Sequence, residues 1–258
     1  MLRMQSPTGK GITLQPHLVR NKVRYWNATS GANNVPGIDG ILPPTALGTA
    51  TARTLAATNR FTRMARMGYV SVATAPGFAG HYNNATNMNL VTIGNGAGEG
   101  GFHLVSRFGC SDPATVAGAR QFAGLSNPTA APTNVEPSTL INTIGVGHGA
   151  ADTNLKLYYG GSAAQAPIDL GANFPANTLS VDMYELALFA SPNNQDVGYR
   201  VENLRTGSVA EGVIPNTTPG TTLPLNTAFM GWRIWRCNNA TALACAVDVV
   251  AFSVETDY

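Results

Sequence analysis

The stretch VDMYELALFASPNNQDVGYRVENLRTGSVAEGVI, from Val181 to Ile214, decides the fold. Three runs, Val181–Ala190, Val197–Leu204 and Val209–Ile214, read as strands, each bounded by turn residues. Between the first two, Ser191-Pro-Asn-Asn-Gln-Asp has the composition of a hairpin loop. Thr206-Gly207 then leads into the third run. The three make a meander with short connections.

The same pattern continues on both sides. Phe102-His-Leu-Val-Ser-Arg-Phe alternates, with Phe102, Leu104 and Phe108 on one face. Further strands are predicted at Met88–Ile93, at Asn154–Tyr159 before Gly160-Gly161, at Phe229–Cys237 and at Leu243–Val254. Asn238-Asn239 turns the chain between the last two. At least eight short strands are legible in the chain, and no regular supply of crossover helices separates them. The expected class is all-β: an antiparallel β-sandwich or jelly roll with an extended N-terminal arm. One helix is expected over Pro113–Phe122, with Asp112 as its cap and Pro113 in its first turn. No fixed-period repeat is present, which argues against a propeller or β-helix.

Three segments are expected. Residues 1–47 hold five prolines and no sustained period, so they read as an attachment arm that supplies neither sheet strands nor a stable helix. Residues 48–80 form a bridge, in which Thr49–Thr58 suits either a short helix or a strand. Met64 and Met67 fit a short helix, whereas Tyr69-Val-Ser-Val fits a strand. Residues 81–258 are the β body.

Composition narrows the function classes. The chain has 258 residues and a net charge of +2, and only 12% of its residues are charged. That is about half the usual share, so Asn, Thr, Ser, Gly and backbone must build much of the surface. Residues 1–70 carry +8 and the remainder −6. A basic leading segment suits an acidic partner protein. Its basic residues are scattered, which argues against nucleic acid. No apolar run is long enough to span a bilayer, and the N-terminus lacks the apolar core of a secretory signal. Cys110, Cys237 and Cys245 show no CxxC spacing, so neither zinc nor a cystine framework is expected.

Catalytic motifs are missing. Gly94–Gly101 is glycine-rich but lacks the GK[ST] of a phosphate loop, and neither GxSxG nor HExxH occurs. His148 and Asp152 share a loop, where a backbone-satisfied histidine is favoured over a metal ligand. Asp182 and Glu185 have opposite strand parity and cannot form a glycosidase pair within one strand. Glu202 and Glu211, on adjacent strands, read as a solvated sheet face. Asp248 falls inside an apolar strand and needs a cationic partner, for which Arg233 or Arg236 is expected.

Several strings carry a family resemblance. They are Ser106-Arg-Phe-Gly, Arg120-Gln-Phe-Ala-Gly-Leu, Pro137-Ser-Thr-Leu-Ile-Asn-Thr-Ile-Gly-Val-Gly, Asp152-Thr-Asn-Leu, Ile168-Asp-Leu-Gly with Phe174-Pro-Ala, Asp182-Met-Tyr-Glu-Leu and the ending Val254-Glu-Thr-Asp-Tyr. Over residues 48–258 the chain resembles virion appendage proteins of tailed bacteriophages: distal domains of tail fibres, tailspikes and head fibres. The resemblance implies a homotrimer with a β-sandwich head, located on the virion and attached to other virion proteins by its N-terminal segment. It also implies adhesion to host-surface glycans. The segment before the body is too short for a long shaft, which favours a short fibre, a spike or a capsid decoration.

The expected function is therefore a non-enzymatic virion structural protein without a cofactor or metal. A cellular carbohydrate-binding module and a glycan-cleaving tailspike are the alternatives. Expected glycan-binding residues are Asn193, Asn194, Trp232 and Trp235, then Tyr158 and Tyr159, because tip loops and aromatics on a rigid sandwich suit sugar recognition. Expected attachment residues are Arg20, Lys22, Arg24, Tyr25 and Trp26.

Overall fold

Strand pairing converts the alternation into two antiparallel sheets. The computed structural model describes residues 2–5, 11–14, 22–28, 44–84, 91–94, 100–191 and 196–256. From one edge to the other, the first sheet consists of Ser208–Ile214 (β15), Val197–Asn203 (β14), Tyr184–Ala190 (β13), Phe102–Cys110 (β8), Ala246–Thr256 (β17), Met67–Val70 (β6) and Thr49–Ala52 (β5). An eighth strand, Lys22–Asn27 (β3), follows β6 along the same side of β17: β6 pairs with Ala246–Val249 and β3 with Ala251–Thr256. A register shift in β17 between Val249 and Ala251 separates the two pairings.

The second sheet runs through Ile168–Asp169 (β12), Lys156–Gly160 (β11), Thr143–His148 (β10), Arg120–Ser126 (β9), Gly231–Cys237 (β16), Phe78–Tyr82 (β7) and Thr45–Leu47 (β4). Leu2–Gln5 (β1) and Gly11–Leu14 (β2) pair with each other. The helix Arg60–Arg63 (α1) is a single turn, closed by a capping box between Asn59 and Thr62. No helix among the described residues is long and apolar enough to cross a membrane.

The main core lies between the sheets. Leu104, Phe108, Leu186, Leu188, Val201 and Val249 come from the first sheet, and Ala123, Leu125, Ile144, Val146, Leu157 and Ile234 from the second. Each large apolar side chain removed from water contributes about 1.5–3 kcal/mol. A smaller cluster of Phe122, Tyr158, Trp235 and Cys237 sits on the opposite side of the second sheet, against Leu47, Phe78 and Leu140. A third joins Phe61 to Met183 and Leu204.

Two buried carboxylates are paired with arginines. Arg236 and Asp112 have no exposed side-chain area and meet twice, Nε to Oδ1 at 2.8 Å and Nη2 to Oδ2 at 2.6 Å. Arg236 also donates to Gln121 and Asn177. Asp248 accepts from Arg53 at 3.0 Å, from Arg66 at 2.8 Å and from Ser111.

Several sequence expectations are corrected here. Arg233 and Arg236 are not the partners of Asp248: Arg236 is taken by Asp112, and Arg233 donates to the carbonyls of Pro128 and Ala130. The helix over Pro113–Phe122 is absent, because Asp112 serves Arg236 rather than a cap, Gly118 takes φ +68°, and strand β9 begins at Arg120. Two pieces of the segment 1–47 belong to the body's sheets: Lys22–Asn27 pairs with β17 and Thr45–Leu47 with β7. A strand needs only a free neighbouring edge, and the prolines of the segment fall outside both pieces. In the bridge, Thr49–Ala52 and Met67–Val70 are strands and Arg60–Arg63 is helical.

Candidate functional site

The register of the first sheet arranges its outward side chains in rows. Val213, Gly198, Phe189, His103, Glu255 and Val23 lie side by side across six strands. The next row is Glu211, Arg200, Ala187, Val105, Ser253 and Tyr25, and the one after it is Val209, Glu202, Glu185, Arg107, Ala251 and Asn27. Their inward neighbours fill the core, so strand parity alone sets this face outward.

Over β8, β13, β14 and β15 this face is hollowed into an open groove of about 430 Å³. Phe189 and Val213 stand on it with 52% and 63% of their surface exposed. Between them lies Gly198, whose lack of a side chain leaves the floor of the groove open. His103 meets the Phe189 ring edge-on, with centroids 6.2 Å apart. Tyr199, between Gly198 and Arg200, has the opposite parity and packs against the main core beside Gly212.

Beside the aromatics runs a charge network. Arg200 Nη2 donates to Glu202 Oε2 at 2.7 Å, and Arg107 Nε donates to Glu185 Oε2 at 2.6 Å. Arg200 also faces Glu185 and Glu211, each at 3.9 Å. The Glu202 hydrogen bond, followed by the field of these carboxylates, holds the Arg200 guanidinium above its ordinary pKa. The groove thus offers an apolar ring for stacking beside donors and acceptors, the composition of many small-ligand sites.

The expected site residues do not assemble. Trp232 and Trp235 are a correction: both are buried, as packing elements. Trp232 packs on Phe252 and donates its indole N–H to His81 Nε2 at 3.1 Å, while Trp235 stacks with Phe122. Tyr158 is likewise buried and donates to Asp152 Oδ2 at 2.8 Å. Tyr159 is half-buried against the main core. Asn193, Asn194 and Arg20 lie outside the described residues, as do the side chains of Lys22 and Arg24. Tyr25 is exposed and Trp26 is partly buried against the core.

His148 faces inward and is fully buried. Its Nδ1 pairs with the Gly149 carbonyl at 3.1 Å, and its Nε2 accepts from Arg236 at 2.8 Å. Burial, then the Arg236 charge, lowers its pKa to about 3. Asp152 is turned away, toward Lys156, Tyr158 and the Gly149 N–H. No group of three potential metal-ligating acidic, histidine or cysteine side chains occurs among the described residues.

The sequence reading does not single out Phe189, Arg200 or Val213 as site residues. Their signal was the alternation of the meander, which marks Phe189, Arg200 and Val213 as outward. A search that favours tryptophan passes over it.

No known protein-family pattern matches the chain, and no curated protein matches it in sequence. Solved structures do match in fold. Peanut lectin with a nine-residue peptide has a TM-score of 0.55 at 11% identity, over 92% of this chain and 97% of that one. Lectin II from Ulex europaeus gives 0.54 at 9%, over 91% and 98%. Lectin UEA-II complexed with galactose gives 0.53 at 9%, over 92% and 98%. The fold is therefore a two-sheet antiparallel sandwich, as the strand pattern predicted, and it is similar to the fold of these lectins.

Proposed function

We propose that this protein is a non-catalytic recognition subunit of a virus particle, assembled as a homotrimer, that binds host-surface carbohydrate in the groove over β8, β13, β14 and β15. The observation that carries the reading is the exposed Phe189 ring standing beside Arg200 and Glu211 on a rigid sheet. Sugars present an apolar face for stacking and hydroxyls for hydrogen bonds, and this groove offers both complements. The lectin-type fold, one of whose examples holds galactose, supports it. The phage-like strings support the virion location and the trimer. Engagement of Glu185 and Glu202 by Arg107 and Arg200 favours binding over hydrolysis, because glycoside cleavage needs a carboxyl free to donate a proton.

A glycan array tests the groove. Purified protein should bind a restricted set of sugars, and Phe189→Ala should weaken that binding about tenfold, or ~1.4 kcal/mol, while circular dichroism stays unchanged. A folded protein that binds nothing across the array would remove the carbohydrate reading. Immunogold labelling of purified particles tests the location, and label found only in the particle-free lysate would remove it.

A further inference from the structure

Resting on that reading, we infer that the groove selects uncharged sugars and rejects uronic acids, with two neighbouring hydroxyls bridging Arg200 and Glu211. Arg200 is the one arginine lining the groove, and three carboxylates already surround it. Across this patch Arg107 and Arg200 face Glu185, Glu202 and Glu211, so these five groups sum to one negative charge. An anionic sugar would have to compete with Glu202 for the guanidinium while lying beside Glu211, which is 70% exposed. Like charge at such range repels in any dielectric, and specificity built on repulsion excludes a wrong ligand without strengthening the right one.

The same geometry invites neutral hydroxyls. Arg200 Nε and Glu211 Oε2 are 3.9 Å apart, beyond direct hydrogen-bonding distance. A sugar hydroxyl can accept from one and its neighbour can donate to the other. Phe189 then lies one row away, placed for the apolar face of the same ring.

The test compares neutral hexose disaccharides with matching uronates that differ only by oxidation at C6, using calorimetry on the full chain. The expected result is at least ~10-fold weaker binding of each uronate, a gap that narrows at high ionic strength as exposed charges are screened. The double variant Glu202→Gln, Glu211→Gln should also narrow it, through a gain in uronate binding. Glu211→Gln alone should weaken the neutral sugar, since the amide accepts less strongly from a hydroxyl. Equal or tighter binding of the uronate by the native protein overturns this inference and leaves the carbohydrate reading standing. Binding of neither overturns both.

Discussion

Asp248 stands in the longest strand of the sandwich with no exposed side-chain area and two arginines on its carboxylate. Removing its charge strands Arg66, whose side chain is only 9% exposed. Breaking such a pair from one side typically costs about 3–5 kcal/mol, because the surviving charge stays buried. Asp248→Asn should therefore lower the urea midpoint of unfolding sharply. An unchanged midpoint would mean that the cluster is dispensable. The need for a cation was legible in the sequence, since alternation buries Asp248. Its identity was not, because Arg53 and Arg66 reach it from positions 195 and 182 residues away in the chain.

The buried histidines supply a second expectation at this scale. His81 lies between Tyr69 and the Trp232 indole, and burial lowers its pKa to about 3, as burial and Arg236 do for His148. Both stand at 6.5 in the open chain. Between pH 6.5 and 3 the unfolded state binds more protons than the folded one, so stability rises with pH across this window. It is fully present above pH 6.5 and is lost as pH falls, with a limiting slope of about 1.4 kcal/mol per pH unit for each histidine. Urea titrations from pH 7 to pH 5, above the main carboxylate range, should show this loss. A flat profile would contradict the burial of both rings.

At the scale of elements, β3 decides how the N-terminal segment behaves. Composition marked residues 1–47 as an arm, because prolines and missing periodicity dominate a window of that length. Six residues without proline are enough for a strand once β17 offers an edge, and local composition cannot see that edge. Nor could it see that Arg120–Ser126 forms a strand rather than the end of a helix. Ala123 and Leu125 face the core there, and Gly124 lies against the backbone of Ile144 and Gly145, which leaves no space for a side chain. Pairing protects β3: trypsin should spare the Lys22–Val23 and Arg24–Tyr25 bonds in the folded protein. Trp26 packs against the core beside Phe252, its partner across the strands. Trp26→Ala should cost about 2–3 kcal/mol for a partly buried aromatic and open those two bonds to trypsin. Rapid cleavage at Arg24 in the native protein would show that β3 is not held on β17.

The whole molecule turns on one consequence of an open groove. A ring standing half out in an open, shallow groove buries little of a sugar, so one groove should bind weakly. Recognition of a cell surface then depends on how many grooves act together. In the proposed homotrimer three copies engage one surface, and the second and third contacts form at a high effective concentration. Such linkage commonly raises apparent affinity by ~10²–10⁴-fold without any new contact. The copies must meet away from the outer face of β8 and β13–β15 for this to work, since an interface there would close the groove. Light scattering should accordingly give a mass three times that of one chain. Surface plasmon resonance should show weak binding of free disaccharide and much slower release from a densely glycosylated surface. Phe189→Ala should weaken both signals while leaving the trimer intact. A monomeric mass with tight binding of the free sugar would refute the multivalent account. Loss of the trimer in Phe189→Ala would instead assign this face to subunit contact.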